Sequence, residues 1–385
     1  MRIKVISALA CLCAVLGCAA AGARADARQA RVASALALSP SGSDAAACTR
    51  AAPCRSFNRA YRAARPGQVV ELTGGAYGRQ LILPDPRKGS GADVVFRPAR
   101  GAKITVDDQL TVDASHVTLS GFRLNGDWRT DQQTRDVTFR NVTVAGGIFV
   151  NSSQGIRVIG GSVGGTRDTK PQIGAWPPGT RARNILIDGV TFHDVTRSGP
   201  GVHVECLLVA GIDGLVVRNS RFRNCGVFDL SIGEMNDSGP PRNILIENNF
   251  FGGSDGYFSL QFNTNSSSLT NVLVRNNSST QEMSLGNEIP TLTNVRAIAN
   301  VAPYSRRSCD NRIVYAYNVW AGTRCGRTDL NAASGFRNPG SLDFHLTARS
   351  RAIGHGDPKS SPKRDIDGQR RPQGRRVDAG ADERR

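Results

Sequence analysis

Lysine is scarce in this sequence. Only six of the 49 basic residues are Lys, and Lys88, Lys103 and Lys170 are the only ones in the body of the chain, so a lysine base has few candidates. Acidic residues are fewer than basic ones, 32 against 49, which gives a formal net charge of +17 carried almost wholly by Arg. There is no C-x-x-C, the usual spacing of a structural zinc site. No apolar run long enough to span a bilayer occurs beyond the N-terminal stretch, which excludes a polytopic membrane protein. No nucleic-acid-binding motif accompanies the positive charge, so a nucleic-acid partner is not expected. Aromatic residues make up 6%, whereas the 385 residues include 42 Gly and 18 Pro, a turn-rich composition unlike that of a helical bundle. With 39% hydrophobic and 21% charged residues, the chain can fill one or two cores.

Residues 1–25 read as an export signal: Arg2 and Lys4, then the apolar run Val5–Leu16, then Ala23-Arg24-Ala25 as an A-x-A cleavage site. Val15-Leu16-Gly17-Cys18 offers the alternative of a lipobox with Cys18 lipidated. Both exits put the protein outside the cytoplasm, secreted or on the cell envelope, with no membrane span after processing. Cleavage after Ala25 leaves a charge of +14. Six cysteines remain, in three local pairs: Cys48 and Cys54, Cys206 and Cys225, Cys309 and Cys325. Three local disulfides are expected in an oxidising compartment.

The chain repeats itself. An alternating apolar run, a Gly or Asn, and another apolar pair recur as VTLSGF (117–122), VTFRNVTV (137–144), IRVIGGSV (156–163), ILIDGVTF (185–192), LVVRNSRF (215–222) and ILIENNFF (244–251). Weaker copies start at Val272, Val295 and Ile313. The small residue falls at Gly121, Asn141, Gly161, Gly189, Asn219, Asn248, Asn276, Asn300 and Asn318, at intervals of 18 to 30 residues. Period-two alternation makes these strands. None can bury its apolar face alone, so successive coils must stack. A β-propeller would ask for longer, more uniform blades. The fold class expected is all-β: a single-stranded right-handed parallel β-helix with a short N-terminal capping helix. Asn at the turns tolerates the left-handed conformation, and Asn219, Asn248, Asn276 and Asn300 could form an internal ladder. Ser56 as N-cap, the apolar face Phe57, Ala60, Tyr61 and Ala64, and the stop at Pro66-Gly67 define the cap. The organisation reads as cap and first strands at 36–80, coils at 81–345 and a basic closing segment at 346–385.

Two stretches carry a family resemblance: LSPSGSD…PCRSFNRAYRAARPGQVVELTGGAYG (38–78) and DFHLTARSRAIGHGDP…DIDGQRRP…VDAGADE (343–383). The first resembles the opening of secreted pectin-lyase-like β-helix proteins. The second is similar to the closing segment, sometimes called a choice-of-anchor domain, of many bacterial members. The resemblance implies the fold and leaves the activity open, since the superfamily includes lyases, hydrolases, epimerases and proteins without a known reaction. Asn263-Thr264-Asn265 lacks the acid of the NTD element of polygalacturonase-like hydrolases, and the DPHD motif of alginate epimerases and the aspartate cluster of calcium-dependent pectate lyases are absent. Gly354-His355-Gly356 stands in the closing segment, where a hydrolase GHG would not. Calcium is left open without a clear site, and no other metal is expected.

Aligning GVHVEC (201–206), VFDLSI (227–232) and YFSLQF (257–262) on their glycines turns Val202, Val204 and Cys206 inward over Phe228, Leu230 and Ile232. His203 and Glu205 then face outward with Asp229, Ser231, Ser259 and Gln261, and His203 stacks on Asp229 at the strand spacing of roughly 4.8 Å. His193, Asp194 and Arg197 precede this patch and Glu234 follows it. A solvated face also requires polar residues, but His, Glu and Asp on adjacent rungs suit chemistry. The expected catalytic set is His203 as base, Asp229 orienting it, Glu205, and Arg197 neutralising a uronate carboxylate. His193, Asp194, Gln261 and Glu234 would contact substrate. The expected partner is an acidic polysaccharide or envelope glycan, the reaction β-elimination, and the protein a monomer. An inverting hydrolase using Glu205 and Asp229 at roughly 8 Å and a non-catalytic glycan-binding β-helix are the alternatives.

Overall fold

A computed structural model describes residues 35–385 apart from Ser90, Ala175, Gly256, Tyr257 and residues 304–308. The export signal and Cys18 lie outside the described residues. Short strands repeat along the chain and pair in parallel, each with the strand one coil further on. One coil runs through Ala182–Asp188, Thr191–Thr196 and Leu207–Ala210, and the next through Ile212–Arg218, Arg221–Cys225 and Leu230–Gly233. Each of the three strands therefore heads its own column, and the columns make three parallel faces. Crossovers between parallel strands take the right hand. The chain is a right-handed parallel β-helix.

The apolar positions of the repeated phrase line the interior. Ile185, Leu215, Ile244, Val272, Val295 and Ile313 succeed one another in register down the first face. On the second face Phe192, Phe222 and Phe251 stack with ring centroids 4.9 and 5.1 Å apart. All three are buried, and each contributes about 1.5–3 kcal/mol through burial. The helix Phe57–Ala63 covers the N-terminal end. Ser56 caps it by accepting from the Arg59 amide, while Phe57, Ala60 and Tyr61 are buried.

The turn column runs through Gly121, Asn141, Gly160, Gly189, Asn219, Asn248 and Asn276, all at positive φ, while the expected Gly161 sits one position later, paired with Val142. At the last two coils it departs from expectation: the left-handed residues are Ala299 and Tyr317, not Asn300 and Asn318. Those asparagines sit one position later, inside the coil. They continue a buried ladder in which the Asn249 side-chain amide donates to Asn277 (2.9 Å), Asn277 to Asn300 (3.0 Å), Asn300 to Asn318 (3.0 Å) and Asn318 to Asp329 (3.0 Å). The expected ladder through Asn219, Asn248, Asn276 and Asn300 is thus replaced by this one; Asn248 still donates to Asn219 at 2.8 Å. The interior ladder satisfies backbone as well, because Asn249, Asn277, Asn300 and Asn318 each also donate to a main-chain carbonyl.

All three expected disulfides are formed: Cys48–Cys54, Cys206–Cys225 and Cys309–Cys325. The closing segment packs against the coils. Phe344, Leu346, Ala352, Ile366, Ala379 and Ala381 join Phe250, Val301 and Val319 in a second core. Arg371 and Glu383 form a fully buried ion pair at 3.0 Å within it. Among the described residues no helix is long and apolar enough to cross a membrane.

Candidate functional site

Between Thr191–Thr196 and Leu207–Ala210 the chain leaves the coil in a connection of ten residues that begins Arg197-Ser198-Gly199-Pro200. Gly and Pro forbid a continuing strand here. Two restraints hold the connection. The Ser198 amide donates to Asp168 Oδ1 at 2.7 Å, and the disulfide ties Cys206 to Cys225 of the following coil. Val204 is buried between them. It comes so close to Gly226 that a Cβ there would lie 2.6 Å from Val204 Cγ2, so only glycine fits under the connection.

This anchoring resets the register. Leu207 pairs with Leu230, Leu208 with Ser231 and Val209 with Ile232, and Leu230, Ser231 and Ile232 pair with Leu260, Gln261 and Phe262. The second alignment is the expected one. The first is not: the Cys206 amide donates to the Phe228 carbonyl and the Leu207 amide to the Asp229 carbonyl. His203 precedes the paired strand altogether, so it does not stack on Asp229. Aligning on Gly201 treated a loop glycine as a coil turn. Val202, Val204 and Cys206 do turn toward the core, but Glu205, Asp229, Ser231 and Ser259 are buried rather than outward.

The residue types expected at the site divide as follows. His203 is exposed, its side chain 63% accessible, and its Nδ1 lies 2.6 Å from Oε1 of Glu205, whose side chain is 2% accessible. The ring meets Phe228 edge-on at 5.6 Å. The two atoms are in contact by distance alone; with its proton on Nδ1, a neutral imidazole keeps Nε2 as the acceptor. Glu205 Oε2 is buried and has no hydrogen-bond partner. Asp229 Oδ2 accepts from the Gly253 amide at 3.1 Å. Burial pushes its carboxyl up to about 7, against the opposing bonds from Gly253 and Ser259.

His193, Asp194, Arg197 and Glu234 have partners of their own. His193 Nδ1 lies 2.8 Å from Asp194 Oδ2, and Asp194 Oδ1 accepts from Asn224 of the next coil at 2.7 Å. Asn224 first, then His193, holds the Asp194 carboxyl below its ordinary range despite some burial. Asp194 and Asn224 both stand at positive φ, which marks a coil-to-coil bend. Arg197 donates to the Pro200 carbonyl and lies 3.6 Å from Asp255. Glu234 accepts from the Ser267 amide at 3.0 Å and its hydroxyl at 2.9 Å, clamping two loops. Gln261 lies on the rung between Ser231 and Ser284.

A constellation missed in the sequence lies in the closing segment. His345 donates or accepts at both nitrogens, Nδ1 with Asp343 at 2.5 Å and Nε2 with Asp367 at 2.7 Å. His345, Asp367 and Asp382 bring ligand atoms within 4.8 Å of one another, the one such group among the described residues. Its members are far apart in sequence, and only folding of the closing segment joins them. Asp367 is also paired with Arg221 at 2.7 Å.

No protein-family model matches the chain, and no curated protein matches it. Among solved structures the chain is similar to a pectate lyase, Pel9A, with 16% identity over 91% of this chain and 97% of that one and a TM-score of 0.49. It is also similar to XylC in its complex with xylose (7% identity, 76% of each chain, TM-score 0.44). A rhamnogalacturonan lyase is a third (13% identity, 74% of this chain and 87% of that one, TM-score 0.39). The assignment of a right-handed parallel β-helix rests on the chain's own coils and registers, and none of these likenesses carries an activity across.

Proposed function

We propose that this is an exported protein acting on an acidic polysaccharide by β-elimination, with His203 as the base. The observation that carries the reading is the His203–Glu205 pair: a largely exposed imidazole whose Nδ1 stands 2.6 Å from an oxygen of a buried carboxylate. Glu205 takes the orienting role first expected of Asp229. His203 Nε2 would remove the proton on the carbon next to the uronate carboxyl. The C–H electron pair becomes the new C=C bond, the C–O bond to the neighbouring sugar breaks, and the departing oxygen takes a proton from water. Arg197, on the same connection, is the candidate to neutralise the carboxylate and so make that proton acidic enough to leave. The three disulfides support an oxidising compartment.

The inverting-hydrolase alternative finds no support in the geometry. Glu205 and Asp229 are both buried, and an inverting pair must flank an open space for water. A non-catalytic glycan-binding β-helix is favoured by one observation: Asp194, Asp229 and Glu234 all serve bonds that hold coils or loops together. A screen of the purified protein against uronic-acid polymers, read as absorbance of unsaturated ends, separates the two. Release of unsaturated ends supports elimination; binding without release supports the second reading.

A further inference from the structure

On the first face, the outermost residues of successive strands alternate in charge. Asp188 pairs in register with Arg218, Arg218 with Glu247 and Glu247 with Arg275. Arg218 donates to Asp188 at 2.7 and 2.9 Å, and Arg275 to Glu247 at 2.6 and 2.8 Å. Two acids and two bases make this ladder neutral. The Arg275 guanidinium also reaches the main-chain carbonyl of Ser360, which brings the start of the closing segment alongside. Between ladder and segment lies a cleft of about 640 Å³ lined by Arg218, Glu247, Arg275, Lys359, Lys363 and Arg364. That volume falls within the roughly 300–1,000 Å³ of small-ligand sites.

The charge in the cleft is therefore set by Lys359, Lys363 and Arg364. Among the described residues, none of the three forms an ion pair within 4.0 Å. The Arg364 guanidinium bonds to the Gly368 carbonyl at 2.6 Å, and the two lysines are exposed. Three uncompensated cations around one concave site create a positive field that an anion would relieve. We infer that this cleft is a second binding site, distinct from the His203 region, for the anionic groups of an acidic polysaccharide chain. Lys359 and Lys363 supply mobile point charges, and Arg364 a planar fork for a carboxylate or sulfate. The choice of a polysaccharide as ligand rests on the reading proposed above; the preference for an anion rests on the cleft alone.

The test is binding of the full mature protein to polygalacturonate, with dextran as the neutral control. The Lys359→Glu/Lys363→Glu protein should bind at least about tenfold more weakly, with a shallower salt dependence and an unchanged melting temperature, since exposed surface changes cost little. Arg65→Glu/Lys103→Glu makes the same charge change near the N-terminal end and should alter affinity less than about twofold. Equal losses in both proteins would make the effect one of net charge and overturn the site; so would no loss in either. If the reversal variant does not fold, Lys359→Gln/Lys363→Gln answers the same question. Competition by inorganic phosphate at millimolar level that abolishes polymer binding would assign the cleft to free phosphate and overturn the polysaccharide reading. Absence of unsaturated ends with the Lys359/Lys363 effect on binding intact would leave this inference standing, because the binding readout does not depend on elimination.

Discussion

His203 Nδ1 and Glu205 Oε1 stand 2.6 Å apart across a sharp change of environment: the imidazole is 63% exposed and the carboxylate 2%. Two residues in sequence separate water from the core because Val204 between them is itself buried beneath the connection. A carboxylate taken out of water needs a compensating partner. His203 is the one charged partner within 4.0 Å of Glu205 Oε1 among the described residues, and the orienting role proposed for Glu205 rests on that contact.

Replacing Glu205 by Gln keeps shape and burial but removes the charge proposed to orient the imidazole. We expect kcat on a cleaved polymer to fall at least about tenfold with KM little changed, because Glu205 positions the base and does not touch substrate. Equal kcat in the two proteins would reduce Glu205 to a structural residue.

Asp229 gives a pH prediction. Its carboxyl is pushed up to about 7 by burial, against an unfolded value near 3.9. The native state thus holds the proton more tightly, and this group's contribution is favourable at low pH and lost as pH rises through 7. The penalty at alkaline pH is on the order of 4 kcal/mol at most. Asp229→Asn cannot ionise and keeps an acceptor for Gly253. Its melting temperature should gain on the parent's by several degrees between pH 5 and pH 8. A pH-independent difference would show that Asp229 is not a titrating buried acid.

Removing the Cys206–Cys225 bridge by a double Ala substitution frees a loop of 19 residues. The expected loss is roughly 3 kcal/mol in urea unfolding. Non-reducing peptide mapping of the parent should recover this pair with Cys48–Cys54 and Cys309–Cys325; free thiols at these positions would contradict the exported state.

Arg371 and Glu383 test the closing segment. Both side chains are essentially inaccessible, and burial lowers the Arg371 pKa while raising that of Glu383. Arg371→Met leaves a buried acid without its cation and should cost about 3–5 kcal/mol. Adding Glu383→Gln should return part of that loss. Additive losses in the double variant would mean the two residues do not interact.

The fold was legible because its signal is local and repeated. Period-two runs and a Gly or Asn at each turn state the coil directly, and Ser56 with Phe57, Ala60 and Tyr61 states the cap. The turn column failed where two adjacent residues compete for one role. At Ala299-Asn300 and Tyr317-Asn318 the Asn goes inside to the buried ladder, and a less tolerant residue takes the left-handed turn. Composition favours Asn at the turn, but an unpaired ladder neighbour in the core costs more than a strained turn. At the candidate site the residue types were legible and the register was not. His203 and Glu205 were singled out, but their spacing suggested one shared outward face. A loop with a buried Val204 and a disulfide at Cys206 breaks that alternation, and only tertiary restraints reveal it. The His345–Asp367 contact spans 22 residues in a segment with no periodicity to read.

The central claim is that His203 acts as a base and does not support the fold. His203→Ala removes an exposed side chain and should leave stability within about 0.5–1 kcal/mol of the parent. Val204→Ala, one residue on, should cost about 1–3 kcal/mol through lost burial and packing. On a uronic-acid polymer that the parent cleaves, the rate of unsaturated-end formation by His203→Ala should fall about 10² to 10⁴-fold at an unchanged melting temperature. An unchanged rate in a folded His203→Ala protein, or a melting temperature lowered as far as that of Val204→Ala, would contradict it.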